Sequence, residues 1–112
     1  MVWLQPDPEV NDFWFEWTPG RAVKFWKVLQ AEQQWVLTVE PDGWVTQLQA
    51  AVLLAVETVS IYEWVRDGRI EWATHPADGV VVVSLQSVAE IRLYRDAGGR
   101  GPGFPPGRFA RR

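Results

Sequence analysis

The chain has 112 residues, of which 47% are hydrophobic, with a formal net charge of −3 and no cysteine. That is enough apolar mass for one packed domain, and it excludes a disulfide framework or a thiolate metal site. A single histidine, His75, cannot build a metal centre unaided, so no cofactor is expected.

The charge is unevenly spread. Residues 1–45 carry three basic and seven acidic side chains, residues 46–95 four and six, and residues 96–112 four and one, so only the last segment is basic. This gives three expected regions: an aromatic-rich N-terminal extension (1–45), a central module (46–95) and a Gly/Pro/Arg-rich basic tail (96–112). The tail is expected to be disordered in isolation. The N-terminus has no basic region leading into an apolar core, and the longest apolar run, residues 50–56, is too short to cross a bilayer. A cytoplasmic protein with no membrane partner is expected. There is no Gly-rich phosphate loop, nucleophile elbow or paired His/carboxylate set, so an enzyme is not expected.

In chain order, residues 1–12 mix Trp3 and Leu4 with two Xaa-Pro units and read as an extended lead-in. Residues 13–17 have strand character, with Phe13, Phe15 and Trp17 on one face. Thr18 and Pro19 suit the N-cap and first position of a helix, and Ala22, Phe25, Trp26 and Leu29 fall at helical spacing. A helix over about 19–33 is expected. The alternative is a hairpin in which 23–30 pairs with 35–40, against which stands the absence of turn residues at Ala31-Glu32-Gln33. Residues 35–39 read as a strand that Pro41-Asp42-Gly43 ends. Six of the eight tryptophans fall in the first 44 residues, a concentration that suits a small extra core or a dimer interface better than a small-molecule site. No small-molecule effector is evident.

Residues 46–91 are the most informative stretch. Thr46 and Gln49 form a capping-box pair ahead of a short apolar helix. A tight turn at Ala55-Val56 leads to a second helix that starts at Glu57 or Thr58. Its spacing sets Ile61, Trp64 and Val65 inward and leaves Thr58, Val59, Tyr62, Glu63 and Arg66 outward. Gly68, after Asp67, suits the left-handed position that closes a helix. Residues 70–74 and 80–83 read as short strands around the turn His75-Pro76-Ala77-Asp78-Gly79, and Ser84 caps one more helix.

The order helix, turn, helix, Arg-Asp-Gly-Arg-Ile, hairpin, helix resembles the winged helix-turn-helix of MerR-type regulators and phage excisionases. The resemblance implies an α+β fold, a winged helix-turn-helix with an aromatic-rich strand-and-helix extension at its N-terminus. It also implies sequence-specific binding of double-stranded DNA, with the second helix in the major groove, as a transcriptional regulator or excisionase-like accessory factor. Carried over position by position, Thr58, Val59, Tyr62 and Glu63 sit where base or backbone contacts are made, and Arg66 and Arg69 where phosphate is met. His75 stands at the start of the wing. In the tail, Arg100 and Arg108 lie among glycines and prolines, with Phe104 and Phe109 able to stack, a composition that can follow a phosphate backbone. Ala55 occupies a turn position where those families commonly hold glycine.

A different reading of the same residues is a protein-interaction or dimerisation module with a Trp-rich interface. MerR regulators place a long dimerisation helix after the wing, and only a short helix follows here, so self-association would use the N-terminal aromatic region.

Overall fold

A computed structural model describes residues 13–30 and 33–109. The lead-in of residues 1–12 lies outside them. The elements run β1 (Phe13–Glu16), β2 (Val23–Gln30), β3 (Gln33–Val39), β4 (Trp44–Thr46), α1 (Gln47–Leu54), α2 (Thr58–Arg66), β5 (Trp72–Thr74), β6 (Val81–Ser84) and α3 (Leu85–Asp96). They form two three-stranded antiparallel sheets, ordered β1-β2-β3 and β4-β6-β5, together with the three helices.

The expectation of a winged helix-turn-helix is overturned by this arrangement. The chain is α+β, but four strands precede the first helix and three of them make a complete sheet that shares its core with the rest of the protein. The order β-β-β-β-α-α-β-β-α is not that of a winged helix-turn-helix with an appended strand and helix.

The expected helix over 19–33 is likewise a hairpin of β2 and β3. Val23 and Phe25 are fully buried while Lys24 between them is exposed, the period of a strand rather than a helix. Helical spacing at Ala22, Phe25, Trp26 and Leu29 arose because aromatics populate both faces of β2. Thr18 and Pro19 do not open a helix. The Arg21 N–H donates to the Thr18 carbonyl at 2.9 Å with Gly20 at φ 90, the pattern of a type II turn with Pro at its second position and Gly at its third. That turn reverses the chain from β1 into β2.

The first sheet lays Phe15, Phe25 and Leu37 side by side on its inner face, since these residues pair across the strands. Phe25, Val23 and Val39 join Ala50, Leu53, Ile61, Ile70, Val83, Leu85, Val88 and Ile91 in one buried cluster. Burying a side chain of Phe25's size is worth roughly 2–3 kcal/mol, so the first sheet is bound to the protein by its own core residues.

The second half follows local rules closely. Thr46 accepts from the Gln49 N–H at 3.0 Å, and the Gln49 side chain accepts from the Thr46 N–H at 2.9 Å, a complete capping box on α1. α2 ends as expected: Gly68 takes φ 67, its N–H reaches the Val65 carbonyl, and the Arg69 N–H reaches the Trp64 carbonyl at 2.8 Å. The same pair of bonds closes α1, from Ala55 N–H to the Val52 carbonyl and from Val56 N–H to the Ala51 carbonyl, but the left-handed residue is Ala55, at φ 54 and ψ 43. Between α1 and α2 the chain bends by 116°. The Arg92 guanidinium donates to the Leu53 carbonyl at 2.7 Å and so ties the end of α1 to α3.

Trp44 and Val45, expected only as residues ahead of the Thr46 cap, form β4 and pair with β6. Ser84 ends β6 and caps α3 without an intervening loop, its hydroxyl accepting from the Ser87 N–H. Among the described residues no single helix is long and apolar enough to cross a membrane.

Candidate nucleic-acid interface

The outward side of α2 is where most of the expected site residues gather. Val59, Tyr62, Glu63 and Arg66 are exposed, and Thr58 is half-buried in the first turn. Val59 and Tyr62, three residues apart, are each about half exposed (50% and 52%), so one apolar strip of the helix meets solvent. Ile61 is buried, and Trp64 and Val65 pack against the core, as their spacing requires. Glu57 stands at the N-cap without a side-chain bond to the helix.

At the other end of α2 the tail returns to the domain. The Gly107 N–H donates to the Asp67 carbonyl and the Phe109 N–H to the Gly68 carbonyl, both at 2.7 Å. This docking brings Arg108 to the corner where Arg66 and Arg69 already lie. The Arg108 guanidinium sits 4.5 Å from the Phe104 ring centre and 5.4 Å from that of Phe109, and the two rings meet edge to face at 5.5 Å. Phe104 and Phe109, expected as stacking partners for bases, here brace an arginine of their own chain. The Arg69 guanidinium donates to the Phe104 carbonyl at 3.2 Å, which fixes the tail to the loop after α2.

Three guanidinium groups therefore share one end of α2 with one carboxylate, Asp67. Its oxygens lie 3.2 Å from Arg66 Nε and 4.0 Å from Arg69 Nε. Arg66 keeps 71% of its side chain in solvent, so its pairing with Asp67 leaves most of its donors open. A helix C-terminus carries partial negative charge, which favours cations at this place.

The remaining expected residues lie elsewhere. Arg100 is exposed in the tail and makes no ion pair or hydrogen bond among the described residues. His75 is engaged in shaping its own turn: its Nδ1 accepts from the Ala77 N–H at 3.1 Å, and Asp78 accepts from the Val80 N–H at 3.0 Å. This hairpin turn offers no Lys or Arg.

A feature that residue-by-residue reading missed lies on the outer face of the first sheet. Trp14, Trp26 and Val36 form one row across the three strands, with Trp14 and Trp26 stacked at 6.3 Å and 17°. The row becomes legible only once 23–30 is taken as a strand. An open cleft of about 330 Å³ separates Gly20, Arg21, Pro41 and Asp42 from Leu85, Gln86 and Ala89 of α3. Its lining carries one cation, Arg21, and one carboxylate, Asp42, and presents no nucleophile–base pair. No group of three or more His, Cys, Asp or Glu side chains could hold a metal ion among the described residues.

Compared with protein-family models, curated proteins and solved structures, the chain matches none.

Proposed function

We propose that the protein binds double-stranded DNA, presenting the outward face of α2 to a groove and Arg66, Arg69 and Arg108 to the flanking phosphates, in a regulatory or accessory role. The observation that carries this reading is the return of the tail, which places Arg108 beside two arginines at the end of an exposed helix. Tyr62 offers a hydroxyl and an aromatic face to the groove, and Val59 an apolar contact of the kind made with a thymine methyl. Glu63 stands among them as an unfavourable charge near phosphate, or an acceptor for a cytosine amino group.

Fluorescence anisotropy with a labelled duplex at about 50 mM salt tests the reading. Binding is expected in the micromolar range that characterises non-specific association. With three phosphates neutralised, the logarithm of the association constant should fall with the logarithm of salt at a slope of about −2.7. No binding at tens of micromolar protein removes the proposal.

A further inference from the structure

Beyond DNA binding, we infer that the outer face of the first sheet is the contact surface of a twofold homodimer. Trp14 and Val36 remain 46% and 49% exposed, and between them Trp26 is half-buried. One row further along the strands stand Glu16, Lys24 and Thr38, all exposed. The inner face of the same sheet is spent on the core, so this apolar row has no partner within the described chain.

The occupant follows from the charges. Glu16 and Lys24 are cross-strand partners on the same face, yet neither makes an ion pair among the described residues; the Lys24 ammonium instead lies 5.7 Å from the centre of the Trp26 ring. An isologous interface requires one patch to complement itself. A twofold axis laid along the strands between β1 and β2 sets β1 of one copy over β2 of the other. Trp14 then meets the partner's Trp26, Glu16 meets the partner's Lys24, and each contact is made twice. A patch with one acid and one base in neighbouring strands, in register with two tryptophans, satisfies this condition. A uniformly charged partner would leave one of the two charges opposed to its own sign.

The footprint is modest. Two overlapping strands about 4.8 Å apart cover well under half the area that one side of a standard interface buries. The association is tested by sedimentation velocity of the full chain up to about 200 µM. The wild type is expected to convert from monomer to dimer across that range. Trp14→Glu, at a solvent-exposed position inside the overlap of β1 with the partner's β2, should hold it monomeric while cooperative thermal unfolding is retained. Glu16→Lys and Lys24→Glu should each weaken the dimer at least about tenfold, and the double exchange should restore it. A wild type that stays monomeric at the highest concentration overturns the inference and leaves the face to a different protein. A dimer indifferent to Trp14→Glu, or a double exchange as weak as the single ones, overturns the assignment of this face.

Discussion

At the scale of single residues, Ala55 is the position most out of keeping with its chemistry. A left-handed backbone costs an L-residue roughly 1–2 kcal/mol, and among the described residues Ala55 is the only one other than glycine to adopt it. Ala55→Gly relieves that strain and adds unfolded-chain entropy, so a net stabilisation of about 0.5–1 kcal/mol is expected. In a domain of this size it should appear as a rise of a few degrees in the midpoint of thermal unfolding, followed by circular dichroism. Glu63 is informative in a different way. Its replacement by Gln removes a repelled carboxylate from the face assigned to DNA, and duplex affinity should rise about two- to fivefold at low salt, with little change in stability. Single residues were also where the sequence was easiest to read. Thr46, Gln49, Gly68 and Ser84 act through bonds to atoms three to five residues away, so their roles are visible without any knowledge of the fold.

At the scale of elements, legibility depended on whether a segment's hydrophobic pattern had one period or two. α2 has one: Ile61, Trp64 and Val65 point inward and Tyr62 and Glu63 outward. β2 has two, because Trp26 stands on the outer face as an apolar residue where a strand would ordinarily be polar. Its neighbours Phe25 and Leu29 then mimic a helix. Phe25 decides between the alternatives experimentally. It is buried against Phe15 across the strands, with ring centres 6.4 Å apart, and Phe25→Ala should cost about 3–5 kcal/mol in urea unfolding. Trp26→Thr, on the outer face of the same strand, should cost much less than that. A helix over 19–33 would place 25 and 26 on one side and make the two losses similar. β4 was invisible for another reason: three residues are too few for any periodicity, and only its pairing with β6 defines it.

At the scale of the whole molecule, what the sequence could not reveal was which distant segments meet. The basic tail was legible as composition, but its attachment to α2 depends on two backbone bonds to Asp67 and Gly68 and on the Arg69 bond to Phe104. Backbone bonds leave no trace in residue type. The tail also packs over α3, where a Cβ added to Gly99 would overlap the Tyr94 ring. Gly99→Ala should therefore loosen the whole segment and lower duplex affinity without a charge having changed. In the same anisotropy measurement Arg108→Ala should reduce the salt slope by about one unit. Agreement between these two variants would identify tail docking, rather than tail charge alone, as the requirement for binding.

The junction at Ser84 bears on how the protein opens. β6 is the middle strand of its sheet and passes into α3 with no residue to spare, while the Ser84 N–H is held by the Glu71 carbonyl and the Leu85 N–H by the Gly43 carbonyl, both at close to 3 Å. Strand, helix and the two segments clasping them thus form one cooperative unit with no hinge in it. In native-state hydrogen exchange the amides of Val83, Ser84 and Leu85 should be released only by global unfolding, sharing a single opening free energy, while the 97–109 segment exchanges through smaller, local openings.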